Sequence, residues 1–182
     1  MMRKVLLAVM VILLVPLAVP AQDAPKAEVS GGFSYLRSVE LSSFNLYGWN
    51  AGFAGNMNRW FGVVGDFGGN YASPGTGIFG SQGVSVKAHT FMFGPRFSYR
   101  GDGKLTMFTH ALFGAARGSA GGFGVSAGDT AFAMALGGGF DLRLTEAVAL
   151  RAIQVDYLMT RFGGERQNNV RLVTGIVIRF GK

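Results

Sequence analysis

The sequence predicts an all-β chain folded as an eight-stranded antiparallel up-and-down transmembrane β-barrel. Three observations predict it. Long stretches keep a two-residue rhythm, the connections between them alternate long and short, and the bulkier face is too large for a narrow barrel to enclose. The 182 residues include 29 Gly and no Cys. That length suits one domain, and the lack of thiols removes both a disulfide framework and a thiolate metal site.

The chain opens "MMRKVLLAVMVILLVPLAVPAQ", with Arg3 and Lys4 ahead of an apolar run from Val5 to Val15 that Pro16 breaks. Small residues around Val19-Pro20-Ala21 offer a cleavage site. The pattern is that of a secretory signal, too short and too kinked for a spanning helix. Residues 1–21 are therefore expected to be a signal peptide and 22–182 the barrel. Removing Arg3 and Lys4 from 17 basic residues leaves 15 against 10 acidic ones, a net +5. So modest and dispersed a charge gives no nucleic-acid footprint.

Alternation and turn residues delimit strands near 27–36, 45–56, 61–71, 86–100, 104–117, 130–144, 148–158 and 169–180. The intervening "MNRW" (57–60), "GDG" (101–103) and "TEA" (145–147) are short. Residues 37–44, 72–85, 118–129 and 159–168 read as four longer loops. Short turns at one end and long loops at the other are the asymmetry of membrane barrels.

The faces decide which solvent each side meets. In 27–36, Glu28 falls on the inward parity and Tyr35 on the outward one. In 45–56, Tyr47, Trp49, Ala51 and Phe53 oppose Asn50 and Asn56. In 61–71, Phe61, Val63, Phe67 and Tyr71 oppose Asp66 and Asn70. In 86–100, Phe91, Phe93, Phe97 and Tyr99 oppose Thr90, Arg96 and Ser98. Both parities mix in 104–117, where Phe108 and Leu112 stand against Met107 and Phe113, and no face is assigned. In 130–144, Phe132, Met134, Leu136, Phe140, Leu142 and Leu144 oppose Ala133, Ala135, Asp141 and Arg143. In 148–158, Ile153, Val155 and Tyr157 oppose Gln154 and Asp156, which puts Arg151 on the outer face near the headgroups. The closing "VRLVTGIVIRFGK" sets Val170, Leu172, Thr174, Ile176, Ile178 and Phe180 against Arg171, Val173, Gly175, Val177 and Arg179. An eight-stranded barrel has room inside for side chains only. Eight Phe-rich faces cannot share that space, so the bulky side points into lipid.

Two aromatic girdles are expected, with Tyr35, Tyr47, Tyr71 and Tyr157 at the long-loop ends and Trp60, Phe61, Tyr99 and Phe180 at the short-turn ends. The charged and polar residues expected in the lumen are Glu28, Asn50, Asp66, Arg96, Asp141, Arg143, Asp156, Arg171 and Arg179. Unpaired charges would be costly there. Strand adjacency suggests Asp66 with Arg96, Asp156 with Arg171, and Glu28 with Arg179 across the closing seam.

No motif points to catalysis or a cofactor. "GTGIFG" at Gly75–Gly80 spells G-x-G-x-x-G, yet no helix follows and no acid stands about 20 residues on. "GGFGVSAGD" at Gly121–Asp129 lacks the Lys-Ser/Thr ending of a phosphate loop. His89 and His110 are the only histidines, without the company a metal site or nucleophilic triad needs. The catalytic, cofactor and metal sets are therefore expected to be empty, with a membrane lipid-modifying enzyme a remote alternative.

The stretches "GWNAGFAGNMNRWFGVVGDFGGNY" (48–71) and "ALRAIQVDYLMTRFGG…NNVRLVTGIVIRFG" (149–181) resemble the small outer-membrane β-barrel family, the OmpA-like and opacity-type barrel domains. The resemblance spans essentially the whole mature chain and rests on strand patterns rather than chemical sites. It implies a place in the outer membrane of a diderm bacterium and insertion by the barrel-assembly machinery, which reads the last strand and its near-terminal aromatic, here Phe180. Gly181 and Lys182 follow that Phe, a departure from the strictest form of the signal. The expected protein is a monomeric, non-enzymatic membrane barrel with a surface-interaction role in its four outer loops. Arg37, Lys87, Arg117, Arg161 and Arg166, against Glu40, Asp129 and Glu165, would face lipopolysaccharide phosphates. A small-solute pore is the alternative, and a soluble lipocalin-like binder would need the faces reversed.

Overall fold

A computed structural model describes residues 24–38, 45–72, 85–101, 103–122 and 125–181. The signal segment and the Gly75–Gly80 motif lie outside the described residues. The strands are β1 (Ala27–Ser38), β2 (Asn45–Asn56), β3 (Phe61–Ala72), β4 (Ser85–Arg100), β5 (Leu105–Gly122), β6 (Val125–Arg143), β7 (Val148–Phe162) and β8 (Glu165–Phe180). Each pairs antiparallel with its sequence neighbour, and β8 returns to β1, so the sheet is a closed up-and-down barrel.

The stagger of the closure sets its bore. Register runs from Asn56 on β2 through Gly62, Arg96, His110, Gly137, Asp156, Arg171 and Leu36, and returns to β2 at Leu46, ten residues along. With ordinary strand spacings this shear tilts the strands by about 40°. The lumen is correspondingly narrow, and side chains fill it.

The two faces differ as the alternation predicts. Phe91, Phe132 and Ile176 stand outward at 54%, 51% and 54% exposure, whereas Asp66 and Arg96 are inward at 4% and 2%. The exterior is a continuous apolar band that includes Phe33, Trp49, Phe53, Phe93, Leu136 and Ile178. In β5, Leu105, Met107 and Phe113 are outward, while Phe108 and Leu112 are buried inside.

Aromatic contacts gather at both ends. Trp60 stacks on Phe97 at 5.9 Å beside Phe61, and Tyr35 lies 5.4 Å from Tyr47. The Tyr71 hydroxyl meets His89 Nε2 at 3.1 Å, and Tyr157 donates to Asn168. Tyr99 and Phe180 are exposed on the outer wall.

Two of the expected loops are strand instead. Residues 118–122 and 125–129 continue the β5–β6 ladder to the Gly122–Val125 pair, and residues 159–168 continue β7 and β8 to a two-residue turn at Gly163-Gly164. Polar, Gly-rich composition marked these stretches as loops, but cross-strand hydrogen bonding continues through them. A span needs only about 9–11 residues, so β5 and β6, at 18 and 19 residues, carry a ribbon well past the barrel wall.

The Gly163-Gly164 turn has φ of 58° and 85°, a primed hairpin conformation that suits glycine. Gly164→Val is expected to cost about 2 kcal/mol, measured as a lower urea midpoint for the vesicle-reconstituted protein.

Candidate functional site

The lumen has two compartments of opposite chemistry. Its short-turn half holds a lattice of ion pairs, and its loop-side half is an apolar cup.

The lattice starts at the middle of the barrel. Asp156 and Arg171 are register partners on β7 and β8, and Arg171 Nη2 and Nε donate to Asp156 Oδ2 at 2.7 and 2.9 Å. The other guanidinium nitrogen crosses the bore to Asp66 Oδ1 at 2.7 Å. Asp66 therefore pairs with Arg171 rather than with Arg96, because their strands bring Arg96 opposite Gly62 and Asp66 opposite Met92. Asn50 donates to Asp66 Oδ2 at 3.0 Å. Asp156 also holds His110 Nε2 at 2.8 Å and accepts from Gln154 at 2.8 Å.

Toward the short turns, Gln154 accepts from Arg151, and Arg151 donates to both oxygens of Asp141 at 2.9 and 3.2 Å. Arg96 bridges Asp141 at 3.4 Å and Glu28 at 2.7 Å. Glu28 also takes Arg100 at 3.1 Å and lies 3.8 Å from its register partner Arg179. Phe108 is clamped in the lattice with Arg96 and Arg151 over its ring at 4.4 and 4.6 Å. A ring face between two cations explains an inward aromatic in an ionic bore. Five arginines face four carboxylates here among the described residues, so desolvated charge is largely compensated within the lattice.

Arg151 corrects the sequence reading. It is buried inside rather than on the lipid face, since β7 slips register between Arg151 and Gln154 and leaves Ala152 and Ile153 both exposed. One extra residue reverses the parity below the bulge. Arg143 is a second correction. It shares parity with Asp141 but ends β6 at the rim, where it is exposed and donates to the Gly103 carbonyl.

The lattice leaves a cavity of only about 10 Å³ among Glu28, Asp66, Arg96, His110, Arg151 and Gln154. That is room for one water at most. His110 is sealed in this network, and no group of three or more His, Cys, Asp or Glu that could hold a metal occurs among the described residues.

Above Asp156 the chemistry changes. Leu36, Leu46, Leu158 and Ala116 are buried on inward positions. They line a cup of about 360 Å³ with Val86 and Phe162. Alternation does not reveal the cup, because an inward Leu in an otherwise small-residue face reads as an exception rather than as part of a layer.

No family model and no curated protein matches the sequence. Solved structures do match. The attachment invasion locus protein Ail of Yersinia pestis aligns over 85% of this chain and 99% of its own, with TM-score 0.58 and 19% identity. The chain has the fold of the small outer-membrane barrels. Neisserial surface protein A aligns over 85% of this barrel and 97% of its own chain, at TM-score 0.65 and 12% identity. Outer membrane protein OprG of Pseudomonas aeruginosa covers 89% of it and 99% of its own length, at TM-score 0.53 and 11% identity. At these identities the likeness concerns architecture, and function must come from the barrel's own residues.

Proposed function

We propose that this barrel is a monomeric, non-enzymatic and non-conducting integral protein of the outer membrane, exported on its signal peptide and inserted by the barrel-assembly machinery. The observation that carries the reading is the pairing of a lipid-compatible exterior with a bore closed by ion pairs. An apolar band this extensive is stable only in hydrocarbon. A lattice with space for one water gives hydrated ions no path. The solved barrels of like fold, drawn from outer membranes and including an attachment protein, support the location and a surface role.

Specific contacts then fall to the loop-side end. The β5–β6 and β7–β8 ribbons display Arg117, Arg161 and Arg166 with Asp129 and Glu165 in exposed positions. Guanidinium groups there suit lipopolysaccharide phosphates, which they grip bidentately. Of the remaining expected loops, 37–44 and 72–85, residues 39–44 and 73–84, including Glu40, lie outside the described residues.

Planar-bilayer recording at physiological salt tests the closed bore. The expected result is no discrete conductance from the folded protein, and steady ion-sized steps would replace this reading with a pore. Gel migration provides the companion measurement: the unboiled protein should run faster than the boiled one, as a membrane-stable barrel does.

A further inference from the structure

We propose that the loop-side cup is a binding site for one uncharged medium-chain molecule bearing a single hydrogen-bonding oxygen, an alcohol or ketone of about a dozen non-hydrogen atoms. This goes beyond the surface role, since the cup lies inside the wall whatever the ribbons contact. Its volume of about 360 Å³ falls within the usual range for ligand pockets. At roughly 30 Å³ per atom, the share of a liquid water, it holds about twelve heavy atoms.

The lining defines the class. Leu36, Leu46, Ala116, Leu158, Val86 and Phe162 present hydrocarbon, and water held against such walls is readily displaced by an alkyl chain. The mouth carries Lys87 and Asp129, both exposed and of opposite sign. It therefore favours neither an anionic nor a cationic head. A charged group drawn deeper would lose hydration, since Lys87 and Asp129 are the only charged residues lining the cup among the described residues.

The oxygen is asked for by Thr90. This residue lines the cup and is 5% exposed. Its Oγ1 has no hydrogen-bond partner. The hydroxyl packs toward Gly68, where an added Cβ would come within 2.7 Å of it. A one-well turn of χ1 carries the threonine hydroxyl away from Gly68 to another staggered position, with the methyl and hydrogen turning with it. That move sacrifices no existing hydrogen bond, and it would offer the hydroxyl to a ligand oxygen in the cup. A buried hydroxyl left unmet is costly, which makes the bound oxygen a gain for both partners.

The test uses the full mature barrel in lipid nanodiscs with decan-1-ol and decane as probes, read by methyl NMR. Decan-1-ol should shift the methyls of inward Leu36, Leu46 and Leu158 saturably. The outward Leu136 and Leu150 report simple partition into the bilayer and should move only linearly. Thr90→Val keeps the shape and removes the hydroxyl, and should weaken decan-1-ol about five- to tenfold while leaving decane unchanged. Ala116→Phe fills the cup and should abolish saturable shifts. Ala88→Phe replaces it if the unboiled gel band shows that variant unfolded. Equal, linear shifts at inward and outward leucines would overturn the site. An unchanged alcohol-to-alkane ratio in Thr90→Val would overturn the assigned oxygen contact and with it the proposed ligand class.

Discussion

Asp156→Ala is expected to lower the barrel's stability by about 3–5 kcal/mol, the cost of leaving a buried charge without its partner. Asp156 is fully buried and receives Arg171 through two nitrogens, Gln154 through one, and His110 at 2.8 Å. Removing its carboxylate leaves two of the Arg171 guanidinium nitrogens without their acceptor, and this side chain, 1% exposed, keeps only Asp66. The measurement is the urea midpoint of the reconstituted protein, followed by loss of the fast-migrating unboiled band. A double variant separates the lost partner from the lost packing. Asp156→Leu with Arg171→Met replaces the pair by hydrocarbon of similar bulk, and its loss should be clearly smaller than the sum of the two single losses. Additive losses would mean that the pair contributes no coupling and that the lattice is incidental to the fold.

Much of this architecture was legible because a two-residue period and a size limit act together. Alternation names two faces, and an eight-stranded bore cannot hold the Phe-rich one. Parity puts Glu28, Asp66, Arg96, Asp141, Asp156 and Arg171 on one side of the sheet, where the structure has them buried. It failed wherever the period itself breaks. The bulge at Ala152-Ile153 turns Arg151 inward, and nothing in "LRAIQ" announces the extra residue. Phe108 resisted assignment because its reason for facing inward lies on β4 and β7, in Arg96 and Arg151. Pairing is the feature least legible in the sequence. Long guanidinium side chains cross the bore, so Arg171 reaches Asp66 on the third strand, 105 residues away in sequence. Adjacency along the sheet cannot reveal such contacts. The hairpin ribbons were misread for a local reason: Gly and Ser lower strand propensity, yet a ladder started in the wall propagates into them.

Gly175→Val is expected to be the other severe variant, with a loss of about 3 kcal/mol or more from overpacking against fixed backbone. Gly175 lies in the seam that closes the barrel. Gly32 on β1 and Gly175 on β8 are register partners. A Cβ on Gly32 would fall on the carbonyl oxygen of Thr174, and one on Gly175 would fall on that of Gly31. Those oxygens belong to the backbone of the paired strand, so no side-chain rotation can relieve the overlap. The β1–β8 pairing joins the two ends of the chain's sheet, and spreading it exposes unpaired backbone groups to hydrocarbon. Folding yield into vesicles, read from the fast-migrating band, should therefore fall sharply for Gly175→Val. Gly31→Ala is the control on the paired strand, one residue from Gly32. Its added methyl meets nothing within 4 Å, so its stability should stay within about 0.5 kcal/mol of the parent. If both variants fold alike, the close approach at Gly32 and Gly175 is not what the seam depends on. If only Gly175→Val fails, closure of this barrel requires two strands to meet where neither carries a side chain.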